Sequence, residues 1–177
     1  MTMQNQNATM LDALCGGSVR VSILERLSSV DLSTFNSSEY AVFPGFCDVH
    51  VHFREPGFSY KETIFSGSLA AAHSGYTTVC TMPNLNPVPD TVEHLQEQLD
   101  IIKRDTYTGV YPFAAITIGQ KGAGELVDFE SLAPYVKGFS DDGRGVQSEE
   151  LMREAMKRIR AVDRVMVAHC EVEALLN

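Results

Sequence analysis

The chain has 177 residues, with 14 Lys and Arg against 23 Asp and Glu, which gives a formal net charge of −9. Hydrophobic residues make up 44% and charged residues 21% of the chain, as in ordinary globular domains. It has no apolar stretch long enough to span a bilayer and no cluster of basic residues of the kind that binds nucleic acid. We therefore expect a small-molecule or protein partner, with no nucleic acid and no membrane.

The amino-terminal residues and the cysteines indicate the cellular compartment. The first ten residues are rich in Gln and Asn and lack the basic and apolar regions of a secretory signal. The cysteines, at positions 15, 47, 80 and 170, are far apart and form no C-x-x-C pair. Because this spacing argues against a disulfide framework and a cysteine zinc site, we expect a cytoplasmic protein.

Strand-like runs rich in Val, Ile, Phe, Tyr and Thr alternate with helical patterns along most of the chain. A first strand-like stretch covers residues 18–24, and the five that follow cover 46–53, 77–82, 110–118, 136–140 and 164–169. Short apolar strands separated by helices are typical of an α/β fold with a buried parallel sheet.

Capping patterns predict where the helices begin. Ser59 with Glu62 and Asp90 with Glu93 match an N-cap followed by a carboxylate three residues later, and Ser148 precedes acidic residues. The predicted helices end near residues 75, 104 and 162, and a shorter helix is predicted over 129–135.

Residues 119–124, Gly-Gln-Lys-Gly-Ala-Gly, have the glycine content of a phosphate-binding loop. They lack the Gly-Lys-Ser/Thr ending of such loops, and no strong helical pattern follows. We therefore predict an ordinary loop.

The segment 44–57 is the most informative part of the sequence. Residues two apart on a strand face the same side, so His50 and His52 should project together near the carboxyl end of the predicted strand 46–53. Two imidazoles at this spacing suit a divalent metal ion, although a pair of hydrogen-bonded interior histidines would give the same pattern.

Other potential ligands follow later strands. His169 ends the predicted strand 164–169, and Asp142 lies in the Asp-Asp-Gly sequence that ends the strand before it. Because the carboxyl ends of parallel barrel strands surround one pocket, we expect these side chains to approach the two histidines.

Two further polar residues suggest what this pocket binds. Arg54 offers a planar fork suited to a carboxylate, and Asn84 offers both a donor and an acceptor. The alternatives are a surface ion pair for Arg54 and a turn-forming role for Asn84.

Four motifs together resemble one enzyme family: PGFCDVHVHFREPGFSYKET, GYTTVCTMPNLNPVPDT, FSDDGRGVQ and VAHCE. They closely resemble the metal-dependent amidohydrolase superfamily and, within it, the bacterial dihydroorotases. The resemblance covers residues 42–177 and implies part of a (β/α)8 TIM-type barrel with about five βα units. Residues 1–41 are then interpreted as an amino-terminal segment, partly disordered or strand-forming, left from a β-sandwich domain.

The resemblance also implies a metal centre of two zinc ions (Zn²⁺) joined by a hydroxide. The implied metal residues are His50, His52, Asp142 and His169, with Asp142 as the bridging carboxylate and Lys137, if carboxylated, as the alternative bridge. Arg54 and Asn84 match residues that hold the substrate carboxylate. The family's fourth histidine and its general acid/base aspartate are expected beyond Asn177.

The implied reaction is the reversible hydrolysis of dihydroorotate to N-carbamoyl-aspartate, a step of pyrimidine synthesis. The expected partner is the carboxyl-terminal half of the barrel or a second copy of the chain, and we expect the 177-residue chain alone to be inactive. The alternatives are a hydantoinase or allantoinase, or a non-catalytic homologue that serves as a structural partner.

Overall fold

The computed structural model describes residues 45–176, so the predicted strand 18–24 and the segment 1–41 lie outside the described residues. The described part contains five strands: β1 (Phe46–Val51), β2 (Tyr76–Thr81), β3 (Gly109–Ala114), β4 (Gly138–Phe139) and β5 (Val165–Met166). Its α-helices are α1 (Ile64–His73), α2 (Val92–Asp105), α3 (Phe129–Leu132) and α4 (Glu149–Ala161). Short 3₁₀ helices cover Ala133–Tyr135 and Glu173–Leu175. Within these residues, no helix has the length and apolarity that crossing a bilayer requires.

The five strands form one parallel sheet in the order β1-β2-β3-β4-β5. Consecutive strands are neighbours and are joined through helices, which is the topology of a (β/α)8 barrel. The sheet curls into a half-barrel, so the predicted fold class is confirmed. The carboxyl ends of all five strands consequently lie at one edge.

Side chains alternate between the two faces of the sheet. Val79 and Val110 pack with Phe53 and with Ile64 of α1 on the face that the helices cover. Cys80, the next residue along β2, packs with other apolar side chains in a separate cluster. Successive residues of β2 thus face opposite sides of the sheet, and this strand packs against apolar side chains on both faces.

The largest core cluster lies under the second half of the sheet. The Phe129 and Phe139 rings meet edge to face with centroids 4.8 Å apart, and Ile159 of α4 is buried in the same cluster. This packing holds β4, and hence the loop that follows it, against α3 and α4.

Two predicted helix starts were wrong by a few residues. The N-cap of α1 is Thr63, whose side chain accepts from the Ser66 amide, and the N-cap of α2 is Thr91. Asp90 instead accepts from the Gly119 amide at 2.7 Å, so its carboxylate serves a tertiary contact. The N-cap of α4 is Ser148, as predicted.

Four of the five strands are shorter than predicted, and at the end of β3 side chains and loops take over the backbone hydrogen bonds. The third predicted strand extends to residue 118, but β3 ends at Ala114. The amides of Ile116 and Thr117 donate to the Asp141 carboxylate, and the Ala115 amide donates to the Pro89 carbonyl. The backbone beyond each strand is therefore free to form the loops of the site.

Gly67 allows α1 to pack on the residue that follows His52. A Cβ at this position would collide with the ring of Phe53, which is buried. Because Gly67 has no side chain, the Phe53 ring packs against α1 and holds the end of β1 in the core.

We predict that Gly67→Ala lowers the free energy of unfolding. Alanine normally stabilises a helix by about 1 kcal/mol relative to glycine, but overpacking a core typically costs about 1 to 3 kcal/mol. Urea denaturation should show a net loss for Gly67→Ala. The control is Ala72→Gly on an exposed part of α1, which should lose only the helix propensity term. A Gly67→Ala protein more stable than the wild type would contradict the packing described here.

Candidate metal centre

His50 lies on β1 near its carboxyl end, and His52 follows the last residue of that strand. Their ring centroids are 5.2 Å apart and the ring planes are inclined by 69°, so both imidazoles project from the same face. The His50 amide donates to the Asp48 carboxylate at 3.0 Å, which fixes the backbone between the two residues. The His-x-His spacing thus places two imidazoles at the carboxyl edge of the sheet.

The Asp142 carboxylate lies among three imidazoles. Its Oδ1 is 3.6 Å from Nε2 of His50 and 3.6 Å from Nδ1 of His169, and its Oδ2 is 3.5 Å from Nε2 of His52. These separations exceed the usual hydrogen-bond length of about 2.7 to 3.2 Å. The structure therefore brings together the four residues that the sequence singles out, without closing them into direct hydrogen bonds.

Three of these residues have the geometry of a metal-binding group. One ligand atom from each of His50, His52 and Asp142 lies within 4.8 Å of the other two. Imidazole nitrogen and carboxylate oxygen are common ligands of zinc and related divalent ions. This group could hold a metal ion.

His169 approaches the same carboxylate oxygen of Asp142 as His50 does. It follows β5 by three residues, and its Nε2 lies 3.0 Å from the carboxylate of Glu171. A carboxylate on the second ring nitrogen orients an imidazole and raises its basicity, as seen around metal-bound histidines. The sequence analysis did not identify Glu171 as a partner of His169, although a carboxylate two residues after a histidine, as in His-Cys-Glu, could have indicated it.

The environment of His52 favours its neutral form. Burial lowers the pKa of His52 below its ordinary value, and the nearby Arg54 cation lowers it further, while the Asp142 carboxylate opposes both effects. A neutral imidazole is the form that binds metal. Its Nδ1 is buried without a hydrogen-bond partner among the described residues.

Lys137 lies at the other end of β4. It precedes the first residue of that strand, and its Nζ is 4.6 Å from the centre of the Tyr111 ring. The structure therefore places Asp142, and not Lys137, beside the three imidazoles.

Arg54 and Asn84 line a cavity of about 370 Å³ next to Asp142. The cavity has three cationic side chains in its wall, from Arg54, Lys61 and Arg144, and one acidic side chain, from Asp142. Among the described residues, none of the three cations lies within ion-pair distance of a carboxylate. In a chain with an overall negative charge, this concentration of positive charge suits an anionic ligand.

Asn84 has a structural contact as well. Its Nδ2 donates to the Asp142 carbonyl at 2.7 Å, and its Oδ1 is buried without a partner among the described residues. Gln120 donates to the same carbonyl at 2.8 Å. Sequence reasoning missed Gln120, because its partner lies 22 residues further along the chain and no local pattern joins the two.

The buried carboxylate of Asp141 holds the neighbouring loop. It accepts hydrogen bonds from the amides of Ile116, Thr117 and Gly122 and from the Thr117 hydroxyl. Burial raises the pKa of Asp141 above its ordinary value, although these hydrogen bonds act in the opposite direction. Asp141 is therefore a structural anchor beside the site, and the Asp-Asp pair divides into two roles.

The glycine-rich stretch 119–124 belongs to this anchored loop. The Gly119 amide donates to Asp90, and the Gly122 amide donates to Thr117 and Asp141. Because the protein itself occupies these amides, they do not form a phosphate cradle, in agreement with the prediction.

Comparisons with known proteins identify relatives of the chain. The model of the family described as dihydro-orotase-like matches residues 40–177. The chain is 46% identical over 175 residues to a dihydroorotase of Fusobacterium nucleatum, a match that covers 99% of this chain and 41% of the relative. It is 51% identical over 150 residues to a dihydroorotase of Staphylococcus epidermidis, covering 84% of this chain and 35% of the relative.

A solved structure is similar in fold. An L-hydantoinase (dihydropyrimidinase) from Arthrobacter aurescens superposes with a TM-score of 0.63 at 20% identity, over 75% of this chain and 30% of that one. This similarity supports the barrel architecture alone. The chain spans less than half the length of the relatives it matches.

The histidine pair, the Asp-Asp-Gly turn and all five strands lie within the matched residues 40–177. The identity to dihydroorotases extends over most of the chain, well beyond these motifs. The chain therefore belongs to the dihydro-orotase-like family.

Proposed function

We propose that this chain carries the amino-terminal, metal-binding part of a zinc-dependent dihydroorotase, which reversibly hydrolyses the cyclic amide of dihydroorotate to N-carbamoyl-aspartate in pyrimidine synthesis. The observation that carries the proposal is the approach of His50, His52 and His169 to the Asp142 carboxylate beside a cationic cavity. The dihydroorotase relatives agree with it.

Imidazole nitrogens and a carboxylate oxygen are donors that suit zinc, and we assign those present to two ions. His50 and His52 would hold one ion, His169 would hold the second, and Asp142 would bridge them; Lys137 is a weaker candidate because it lies beyond the amino end of β4. When bound, two zinc ions sharing a hydroxide supply a nucleophile at neutral pH and polarise the amide carbonyl. Nε2 of half-buried His52 faces Asp142 and would serve as the ligand, and its buried Nδ1 has no hydrogen-bond partner among the described residues.

The cavity residues would bind and orient the substrate. The Arg54 guanidinium can donate two parallel hydrogen bonds to the carboxylate of dihydroorotate. The Asn84 amide has a second N–H beyond the one that it donates to Asp142, and this group can reach the same carboxylate. Lys61 and Arg144 add positive charge at the same cavity, which favours an anion.

The charge of the cavity also separates the candidate substrates. Dihydroorotate carries a carboxylate, whereas hydantoin and allantoin do not. The three cations, which form no ion pair with the described residues, therefore favour dihydroorotate over the hydantoinase and allantoinase alternatives. A non-catalytic structural partner has no need of a cationic cavity beside a metal-binding group.

The activity requires more of the barrel than the described residues supply. A (β/α)8 barrel has eight strands, and the described residues form five, with β1 and β5 at the two edges of the sheet. We propose that the chain alone is inactive and that the carboxyl-terminal part of a longer protein, or failing that a second copy of the chain, completes the site. The general acid/base and a fourth histidine would come from that part.

We predict that zinc-supplemented chain 1–177 hydrolyses dihydroorotate far more slowly than ordinary enzymes, which turn over at about 1 to 10³ per second. The same chain joined to the carboxyl-terminal part of the Fusobacterium nucleatum relative should reach that range. Turnover in that range by the chain alone would contradict the proposed inactivity. A joined protein that folds, binds zinc and hydrolyses hydantoin or allantoin better than dihydroorotate would contradict the proposed substrate.

We predict that Arg54→Lys in the joined protein lowers kcat/KM for dihydroorotate by about tenfold to a hundredfold, since a hydrogen bond to a charged group contributes about 1.5 to 3 kcal/mol. Zinc content should not change, because Arg54 is not among the proposed ligands. The matched control is Arg153→Lys, at an exposed ion pair with Glu149 on α4, which should leave both quantities unchanged. Equal kinetics for Arg54→Lys and the wild type would remove Arg54 from the substrate site.

A further inference from the structure

We propose that Gln120 is a positioning residue for Asp142: its side-chain amide, together with that of Asn84, holds the Asp142 carbonyl, so that the carboxylate stays among the three imidazoles. This inference rests on the proposed function, in which Asp142 is a metal ligand. It assigns a role to a residue outside the proposed set of metal ligands.

The local backbone shows why Asp142 needs such support. The Arg144 amide donates to the Asp141 carbonyl at 3.0 Å, which closes a four-residue turn with Asp142 and Gly143 at its centre. Gly143 has φ of 80°, a value typical of glycine at the third position of a type II turn. Asp142 therefore lies at the tip of a turn, outside the ladder of β4, where no neighbouring strand fixes its backbone.

The peptide between Asp142 and Gly143 is the mobile element of such a turn. Type I and type II turns differ mainly in the orientation of this central peptide. A rotation of the peptide would swing the Asp142 carbonyl and alter the direction of its side chain. Two donors on that carbonyl, from Asn84 at 2.7 Å and Gln120 at 2.8 Å, oppose the rotation.

Gln120 is itself held firmly. Only 8% of its surface is exposed, and its backbone amide donates to the Thr117 carbonyl at 2.9 Å. Its φ is 54°, in the left-handed region that a residue other than glycine rarely adopts. The surrounding loop is fixed because the Asp141 carboxylate and the Thr117 hydroxyl accept its amides.

The loop that contains Gln120 and the turn that contains Asp142 therefore hold each other in place through reciprocal hydrogen bonds. Asp141 binds the backbone of the loop that contains Gln120, and Gln120 binds the backbone of the residue after Asp141. Asn84 is the second donor, and both Asn84 and Gln120 line the cavity in which the substrate would bind. Gln120 and Asn84 thus hold the Asp142 carbonyl together, from the loops after β3 and β2.

The test measures zinc affinity of the 177-residue chain by competition with a chromophoric chelator. Gln120→Met has a similar length but no donor, and Gln120→Asn keeps an amide that is too short to reach, on a residue that tolerates positive φ. Both should weaken zinc binding by about tenfold to a hundredfold, the usual effect of losing an outer partner of a metal ligand.

The matched control is Gln98→Met. Gln98 is 1% exposed and donates to the Thr81 hydroxyl at 3.0 Å on the helix-covered side of the sheet, so its loss removes a buried amide away from Asp142. Thermal denaturation of the metal-free proteins should show losses of similar size for Gln98→Met and Gln120→Met, with zinc affinity affected only by the latter. If Gln120→Met loses cooperative unfolding, Gln120→Asn decides the question.

The outcomes separate the inference from the proposed function. A folded wild-type chain that binds no zinc would contradict the proposed metal centre, and the inference with it. A wild-type chain that binds zinc, with Gln120 variants that bind it as tightly as Gln98→Met does, would contradict the positioning role alone. A combined Asn84→Ala and Gln120→Met change should be non-additive in zinc affinity, because both donors act on one carbonyl.

Discussion

The Asp141 carboxylate is 1% exposed, and it accepts hydrogen bonds from three backbone amides and one hydroxyl of the loop that follows β3. A buried carboxylate without such partners would be costly, so the loop and the Asp-Asp-Gly turn can only be buried together. This constraint places the neighbouring residue, Asp142, at the edge of the sheet. The positions of the cavity wall and of Gln120 depend on it as well.

The parallel sheet provides the second requirement of the site. The residues that follow each strand lie at the same edge of the sheet. His50 and His169, about 120 positions apart in the chain, therefore meet at the Asp142 carboxylate. Phe53 and Gly67 fix the end of β1, and the Phe129 and Phe139 rings fix β4. The imidazoles and Asp142 are therefore held by two separate parts of the core, and each part can be perturbed alone.

The sequence predicts those features that depend on local periodicity. The shared face of His50 and His52 and the placement of Asp142 and His169 after later strands follow from alternation and from the rule that parallel strand ends share one edge. The barrel, and with it the strand order, was implied by the resemblance to the amidohydrolases. The N-caps at Ser59 and Asp90 were wrong, because both stand within four residues of a threonine that caps equally well.

Contacts between side chains and distant backbone groups were beyond prediction. Gln120 and Asn84 meet on one carbonyl only because the loops after β2, β3 and β4 fold over the same edge, and no spacing in the sequence encodes that meeting. The same holds for Lys137: it lies five residues before Asp142 in the sequence, which does not show that its amine lies over the ring of Tyr111.

The central claim is that His50, His52, His169 and Asp142 together form a zinc centre. Crystals of the protein grown with zinc, measured on both sides of the zinc absorption edge, test it most directly. The account predicts anomalous density about 2.0 to 2.1 Å from a ring nitrogen of His50 and of His52, with the Asp142 carboxylate as a further ligand. Anomalous density confined to other residues, with the two imidazoles bound to no ion, would contradict it.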